Sequence, residues 1–411
     1  MMNFTIEGAN DLQFHELLGF EWINENIEQT MRRHGYKQIL TPNFEHYDMY
    51  GLENAVSRES MFKLIDPSGK VLVLRPDATI PICRMSAAQF KNPDELLKFS
   101  YVTTIFREDN SNTNYKKDFL QGGIEYFGDP SSNCDGEVIS IAIEMLLNLG
   151  LEQVQIDIGE VSFLESLLCE MSLSREEQIT LKSLIENKNM GDLEWFLNKL
   201  DIDQKIADAA LTLPMLFGSY QKVMKKAGNL CLNQGMQQAL DKLTEVYEVL
   251  KIYGYADYVS FDLGFTNQMS YYSGLIFKGY VENYSDSVVA GGRYDKLSKN
   301  FGVDRPACGF GINITSLTET LTDKDPIKGY FDVLVSYPKG DLAGGVRASS
   351  KLRKLGYLVD TIEEGALIDK SHYKYHVLVK GDQLLPFDES GSTEQKSLTV
   401  DQLDQLLKGE S

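Results

Sequence analysis

The sequence Phe119-Leu120-Gln121-Gly122-Gly123-Ile124-Glu125-Tyr126-Phe127 has the composition of a β-strand. It follows a second strand pattern at residues 101–107, and the polar run between them, residues 108–114, is typical of a loop. This arrangement predicts an antiparallel pair, and a helix pattern at residues 138–149 comes next. Antiparallel strands that give way to helices are typical of an α+β domain. We therefore expect an antiparallel sheet with helices.

Alternation along this strand places Gln121, Gly123 and Glu125 on one face of the sheet. Buried polar groups need hydrogen-bond partners, because leaving them unpaired costs free energy. A ligand can supply those partners, whereas a solvent-facing strand would not need one. The pair Tyr271-Tyr272 and the cation Arg293 further along the chain favour a pocket.

The length and charge of the chain restrict what it can be. With 411 residues it exceeds one compact core, so we expect two or three domains. The contents of 43% hydrophobic and 24% charged residues are those of a globular protein. Lys and Arg number 40 against 60 Asp and Glu, a formal net charge of -20. Such a chain repels phosphate backbones unless it has a local basic face, which argues against nucleic acid as partner.

Cysteine and histidine usage gives no sign of a metal or disulfide framework. The five cysteines are scattered and form no CxxC pair, as expected of reduced thiols in the cytoplasm. His372 and His376 are four residues apart but lack further ligands at suitable spacing, so no zinc site is expected. Apolar runs are short and the N-terminus lacks a secretory pattern, so we expect no membrane span and no signal peptide.

The order of patterns predicts the domain organisation. Strands are predicted at residues 38–42 and 271–281, and a capping box at Ser174 and Glu177 marks one helix of a helical insertion. The C-terminal part predicts parallel strands with helical crossovers. The predicted boundaries are residues 1–321 for the first domain with its insertion at about 162–253, 322–328 for a polar linker, and 329–411 for a small α/β domain.

Three further segments are informative because of their residues and the order in which they occur. They are Leu74-Arg75-Pro76-Asp77-Ala78-Thr79, Asn267-Gln268-Met269-Ser270-Tyr271-Tyr272-Ser273-Gly274 and Val289-Ala290-Gly291-Gly292-Arg293-Tyr294-Asp295. Each alone has a plain structural interpretation: a helix cap at Asp77 or Thr79, strand packing by the tyrosines, and a glycine-rich turn. Together with the strand pair they resemble the amino-acid pocket of histidyl-tRNA synthetase, a class II synthetase.

The resemblance implies a class II synthetase-like α+β fold and a role for each matching residue. Asp77, Thr79 and Gln121 would hold the α-ammonium group of histidine, and Glu125 and Tyr272 would face its imidazole. The full set of histidine-binding residues that it implies is Asp77, Thr79, Arg107, Gln121, Glu125, Tyr271, Tyr272 and Arg293.

The pattern departs from the synthetase at its cations. Asn267 stands at the catalytic arginine, Tyr115 at the motif 2 loop arginine and Ser316 at the motif 3 arginine, while Arg107 is retained. Activation joins a carboxylate to a phosphate, so the site needs cations aimed at the developing charge. One arginine in such a site is worth roughly a thousandfold in rate. We therefore expect no catalysis, and either a carboxylate partner other than position 267, such as Arg107, or weak affinity for histidine.

A synthetase-like chain without these cations resembles the regulatory subunit of ATP phosphoribosyltransferase. That family implies a cytoplasmic, non-catalytic protein without a cofactor, which serves the first step of histidine biosynthesis. Its implied partners are a second copy in a homodimer, the short-form catalytic subunit in a hetero-oligomer, and histidine as feedback effector. The C-terminal domain would correspond to the anticodon-binding domain of the synthetase. The alternatives are a histidyl-tRNA synthetase with altered motifs and a histidine-binding scaffold.

Overall fold

The computed structural model describes residues 6–9, 11–51, 56–108, 116–265, 271–321, 330–387 and 397–408. Tyr115 and Asn267, two of the three positions at which the resemblance implies that a synthetase arginine is replaced, lie outside these residues. So do the predicted linker at 322–328 and most of the predicted loop at 108–114.

The helices are α1 (Phe14–Arg33), α2 (Thr79–Gln89), α3 (Ser132–Asn148), α4 (Val161–Leu168), α5 (Arg175–Glu186), α6 (Met190–Leu197), α7 (Gln204–Thr212), α8 (Tyr220–Gly228), α9 (Gln234–Tyr253), α10 (Ile314–Thr320), α11 (Leu342–Lys354) and α12 (Val400–Leu407). In the part of the chain that the structure describes, no helix combines the length and the apolar character needed to cross a bilayer.

The strands are β1 (Lys37–Gln38), β2 (Phe44–His46), β3 (Lys63–Ile65), β4 (Val71–Leu74), β5 (Leu97–Phe106), β6 (Asp118–Phe127), β7 (Val154–Glu160), β8 (Phe217–Gly218), β9 (Val259–Asp262), β10 (Leu275–Val281), β11 (Val289–Arg293), β12 (Ala307–Asn313), β13 (Phe331–Tyr337), β14 (Val359–Glu363), β15 (Tyr373–Lys380) and β16 (Gln383–Pro386).

The chain divides into two compact units. The larger comprises the residues up to Leu12 and Phe20–Thr320, and the smaller comprises Gln13–Gly19 and Leu321–Ser411.

The larger unit is built on one extended sheet. Its strand order is β1-β5-β6-β12-β11-β10-β7-β9-β8, with parallel pairs only at β1/β5 and β7/β9 among the strands described. The predicted strand pair is β5 and β6, which run antiparallel with Tyr101 opposite Gly123. α3 buries its apolar side chains, including Val138, Ile141 and Ile143. The predicted α+β fold with an antiparallel sheet is confirmed.

Between β7 and β9 the chain forms a run of helices, α4 to α9, which we call the helical segment (residues 161–253). The capping box predicted at α5 is present, because Ser174 Oγ accepts from the Glu177 N–H and the Glu177 carboxylate accepts from the Ser174 N–H. Burial of side chains such as Leu181, Ile185, Leu193 and Leu243 stabilises the segment through the hydrophobic effect.

Two strand predictions in the larger unit are wrong in part. The strand predicted at 38–42 ends at Gln38. The strand predicted at 271–281 begins only at Leu275, so Tyr271 and Tyr272 lie in the connection that precedes β10. The physical reason is a long-range contact, in which the Ser273 N–H donates to the Arg293 carbonyl at 2.8 Å and turns the chain before it joins the sheet.

The smaller unit is a sheet in the order β14-β13-β15-β16 with α11 and α12. β13 pairs in parallel with β14 and β15, as predicted. α11 is a helical crossover, but the connection at residues 364–372 has only a short 3₁₀ turn, so the second predicted crossover helix is wrong. This connection is shorter than the dozen or more residues usual for a helical crossover. Val333, Val335, Leu352 and Val377 form the core.

His376 in this unit is held in its neutral form. Its Nε2 lies 2.7 Å from Ser336 Oγ, and its ring stacks on Phe387 with centroids 3.8 Å apart. Burial, with a smaller effect of the Lys370 charge, lowers the pKa of His376 to about 4. Across the described residues, neither His376 nor His372 belongs to a group of side chains that could hold a metal.

We expect the smaller unit to lose stability as the pH falls from about 6.5 towards 4. An unfolded histidine has a pKa of about 6.5, so below that pH the unfolded chain binds a proton that folded His376 resists. Thermal unfolding between pH 7.5 and 5 should show a falling midpoint, and His376→Gln should flatten this dependence. His372→Gln, at a partly exposed position paired with Asp369, is the control. An equal pH dependence in His376→Gln and the unaltered protein would contradict the assignment.

Candidate functional site

The polar side chains of Gln121 and Glu125 on β6 lie over glycines of the neighbouring strand, β12. Glu125 pairs in register with Gly309 of β12, and Gly311 lies opposite Gly123. A Cβ atom added to Gly309 would collide with Glu125 Oε2, and one added to Gly311 would lie 2.6 Å from Gln121 Cδ. Both glycines are needed because any larger residue would fill the space that the polar side chains occupy.

Glu125 is a buried carboxyl group held by two hydroxyls. It is 1% exposed, and its oxygens accept hydrogen bonds from Thr79 Oγ1 at 2.7 Å and from Tyr294 OH. Burial raises the pKa of Glu125 to about 8, although both hydroxyl bonds counteract the rise. At neutral pH, the unliganded protein therefore holds Glu125 mainly in its protonated form.

Asp77 contacts both the first turn of α2 and a tyrosine of the cavity. Its Oδ1 accepts from the Ile80 N–H at 2.8 Å, so the predicted helix cap is confirmed for this residue. Its Oδ2 accepts from Tyr271 OH at 3.4 Å. Burial raises the pKa of Asp77, and the charge of Arg107 opposes this rise. The carboxylate thus presents one oxygen to the helix and the other to the tyrosine.

These groups surround a cavity of about 970 Å³. Such a volume falls at the upper end of small-molecule sites and exceeds what one amino acid requires. Six of the eight residues predicted to bind histidine line it: Asp77, Thr79, Arg107, Gln121, Tyr271 and Tyr272. Glu125 lies directly behind the wall, bonded to Thr79 and Tyr294, both of which line the cavity.

The structure does not bring Arg293 to the cavity. Nε and NH2 contact the Asp135 carboxylate, with a shortest distance of 2.7 Å, and NH1 donates to Asp295 at 3.0 Å. NH1 and NH2 also donate to the carbonyls of Asp129 and Ser131. All five N–H donors of the guanidinium are therefore engaged. Although burial opposes it, the neighbouring Asp135 raises the pKa of Arg293, and these contacts favour a structural role.

Arg107 is differently placed. It lines the cavity, and its guanidinium lies over the Phe119 ring, 5.8 Å from the centroid. Over the ranges that the structure describes, it has no carboxylate within ion-pair distance. By contrast, Lys116 pairs with Glu319 at 2.7 Å. Arg107 is therefore available to an anionic group of a ligand.

Sequence reasoning left out two tyrosines of the site. Tyr294 donates to Glu125, and Tyr101 donates to Gln121 Oε1 at 3.1 Å. Tyr101 stands opposite Gly123, where an added Cβ would lie 2.5 Å from its hydroxyl. A tyrosine paired with glycine across two predicted strands is a signal that could have found it.

Ser316, the third position at which the resemblance implies a replaced arginine, is hydrogen-bonded to neutral groups. Its Oγ accepts from Tyr284 OH at 2.8 Å, and its N–H donates to Asn313 Oδ1 at 3.0 Å. Around the whole cavity, the lining includes the carboxylates of Asp77, Glu59, Glu108, Asp286 and Glu319 and the cations of Arg107, Lys116 and Lys278. A polyphosphate would meet at least as much negative as positive charge there.

We expect Gly309→Ala to lower the free energy of unfolding by about 1–3 kcal/mol, because the added methyl group displaces the Glu125 carboxyl from a packed site. Gly228→Ala is the matched control, since an added Cβ there meets nothing within 4 Å. Chemical denaturation measures both. Equal stability of the two variants would show that β12 does not need glycine beneath Glu125.

We expect Glu125→Gln to stabilise the unliganded protein at pH 8 but not at pH 4.5. A folded pKa of about 8 lies above the unfolded value, so the contribution of Glu125 to stability is intact below about pH 4.5 and is lost as the pH rises through 8. Glutamine avoids this loss, which amounts to a few kcal/mol at most. Urea unfolding at both pH values measures the difference, with Glu152→Gln at an exposed position as control. A gain of equal size at both pH values would contradict the assignment.

Comparisons with known proteins show which family the chain resembles. A family model described as histidyl-tRNA synthetase matches residues 8–317. The ATP phosphoribosyltransferase regulatory subunit of Alkaliphilus metalliredigens is 36% identical over 363 residues, which covers 87% of this chain and 91% of that protein. The subunit of the same name from Clostridium acetobutylicum is 39% identical over 330 residues, with coverage of 79% and 80%.

Solved structures show the same fold. A Bacillus halodurans protein described as an ATP phosphoribosyltransferase regulatory subunit/histidyl-tRNA synthetase superposes with a TM-score of 0.81 at 28% identity, covering 93% of this chain and 99% of that one. Histidyl-tRNA synthetase from Nostoc sp. PCC 7120 superposes with a TM-score of 0.79 at 19% identity over 100% of both chains, which supports the fold alone. The chain belongs to the ATP phosphoribosyltransferase regulatory subunit family and has the class II, histidyl-tRNA synthetase-like fold.

Proposed function

We propose that this chain is the non-catalytic regulatory subunit of an ATP phosphoribosyltransferase and binds histidine as feedback effector in the cavity beside Glu125. It acts with a short-form catalytic subunit in the first step of histidine biosynthesis, as a homodimer within a cytoplasmic hetero-oligomer. Family membership supports the assignment to the complex. The observation that carries the ligand is the buried Glu125 carboxyl, bonded to two hydroxyls of the cavity wall.

The α-ammonium group of histidine fits the polar end of the cavity. Asp77 Oδ2 accepts from Tyr271 OH, and Gln121 Oε1 accepts from Tyr101 OH, so both oxygens already face donors. An ammonium group donates up to three hydrogen bonds and suits a carboxylate and an amide oxygen together. Thr79, which also lines the cavity, adds a hydroxyl beside them.

The imidazole ring of histidine suits Glu125. A buried carboxyl with a pKa of about 8 and an imidazole with a pKa near 6.5 can share one proton at neutral pH, whichever group carries it. The ring of Tyr272, 4.8 Å from that of Tyr271, contributes an aromatic wall. Amino acids with aliphatic side chains would leave Glu125 without this partner.

Arg107 is the proposed partner of the histidine carboxylate. Arg293 has all its donors engaged by Asp135, Asp295 and two carbonyls. Arg107 lines the cavity and lies near enough to Asp77 for its charge to influence that pKa. A histidine bound between these two residues would place its carboxylate beside a guanidinium, a strong pairing.

The charges around the cavity support the absence of catalysis. Amino-acid activation needs cations placed around ATP, and each is worth orders of magnitude in rate. Here Ser316 bonds to Tyr284, and Lys116 is committed to Glu319. The net charge of -20 also argues against tRNA as a partner, so the smaller unit is proposed to have no anticodon-binding role.

Reconstitution with a short-form catalytic subunit tests the proposal. Phosphoribosyl-ATP formation and complex size are measured together across histidine concentrations. We expect a complex that histidine inhibits, and a half-inhibiting concentration raised roughly tenfold to a hundredfold by Glu125→Gln, because a hydrogen bond to a charged group is lost. Glu152→Gln should behave as the unaltered chain.

Two results would contradict the proposal. One is unchanged histidine sensitivity in Glu125→Gln, which would place the effector elsewhere. The other is histidine-dependent ATP–pyrophosphate exchange by the chain alone at a synthetase-like rate, which would favour the altered synthetase. Assembly that does not respond to histidine would leave the scaffold as the remaining function.

A further inference from the structure

The connection between β9 and β10, which brings Tyr271 and Tyr272 to the cavity, is fixed at both of its described ends. At the downstream end, the Ser273 N–H donates to the Arg293 carbonyl at 2.8 Å, and the Asp295 N–H donates to Ser273 Oγ at 3.0 Å. At the upstream end the fixed residue is Asp262, the last residue of β9. Ser273 therefore anchors the chain next to the tyrosines, and Asp262 anchors the described residues that follow β9.

Asp262 organises the turn that leads into this connection. Its Oδ1 accepts from the Gly264 N–H at 2.9 Å, and its carbonyl accepts from the Phe265 N–H at 3.3 Å. Phe265 lines the cavity, and it packs so closely on Gly159 that a Cβ there would lie 2.8 Å from Phe265 Cβ. A displacement of Asp262 would therefore shift Phe265 in the cavity wall.

The second carboxylate oxygen of Asp262 is bound by a lysine of the helical segment. Oδ2 accepts from Lys188 Nζ at 2.8 Å, and the Asp262 side chain is only 9% exposed. Lys188 Nζ also lies over the Phe217 ring of β8, 4.1 Å from its centroid. This ion pair ties the turn between α5 and α6 to the strand that precedes the tyrosine pair.

Lys188 holds this position in an unfavourable backbone conformation. Its φ is 51°, in the left-handed region. The Lys188 N–H donates to the Ile185 carbonyl and the Asn189 N–H to the Leu184 carbonyl, both at 3.0 Å, which closes α5 in the motif where glycine is usual. A lysine there is strained relative to glycine, and such strain persists only where surrounding contacts hold the residue in place.

We propose that Lys188 is a positioning residue for histidine binding, because its ion pair with Asp262 couples the helical segment to Phe265 in the wall of the cavity. This inference rests on the proposed function of the cavity. Since coupling between two parts of a protein is reciprocal, a partner that shifts the helical segment changes histidine affinity, and histidine changes the affinity for that partner.

The test separates positioning from stability. Lys188→Gly removes the ammonium group and also the left-handed strain, so the midpoint of thermal unfolding should stay close to that of the unaltered chain. Isothermal calorimetry on the full chain should show histidine affinity weakened on the order of threefold to thirtyfold. Lys188→Arg should retain most of the affinity, and Lys188→Gly should have little further effect when combined with Asp262→Asn.

Lys222→Met is the matched control. Lys222 lies over the same Phe217 ring at 5.3 Å, but it forms no ion pair in the described ranges. Its removal should leave histidine affinity unchanged. Affinity in Lys188→Gly equal to that of the unaltered chain, or an equal loss in Lys222→Met, would overturn the inference while leaving the proposed function intact. If the unaltered chain does not bind histidine, the proposed function fails, and the inference fails with it.

Discussion

The site depends on a steric constraint, the absence of side chains at two positions of β12. Gly309 and Gly311 leave room above the sheet for the Glu125 carboxyl and the Gln121 amide. Without that room, neither polar side chain could fit on this face of the sheet beside the cavity. With it, the hydroxyls of Thr79 and Tyr294 can satisfy a carboxyl that is almost completely buried. The cost of burying a polar group is thereby limited, and a binding site can exist inside a sheet.

Positive charge in this unit is largely committed to structure. Arg293 joins β11 to the N-terminal end of α3 through Asp135 and through the carbonyls of Asp129 and Ser131. Lys116 pairs with Glu319, and Lys188 pairs with Asp262. Of the described cations that line the cavity, Arg107 and Lys278 form no ion pair. This distribution suits a site that must hold a zwitterion. It does not suit a site that must stabilise a pentacoordinate phosphorus, because such a transition state needs several cations around one atom.

Local patterns in the sequence were enough to predict the strand pair β5/β6, the capping box of α5 and the cap provided by Asp77, since each depends on residues close in the chain. The features that local patterns do not predict depend on contacts between residues far apart in the chain. Arg293 was expected at the ligand, but its partner Asp135 lies 158 residues away. The sequence pattern predicts the tyrosine pair in a strand, because nothing local shows the hydrogen bond from Ser273 to Arg293. The missing crossover helix in the smaller unit likewise depends on the length of a connection rather than on its pattern.

The close packing around Gly309 also makes that position a marker within the family. A substitution in a residue that touches the ligand can weaken binding by degrees, whereas any side chain at Gly309 would meet the Glu125 carboxyl and the Ile124 carbonyl at once. A homologous sequence with alanine or a larger residue at this position would lack room for the buried carboxyl group, even if its other cavity residues are the same. The residue at position 309 of a homologue therefore indicates whether the sheet has room for a buried acid beside the cavity, although that residue has no side chain in this chain.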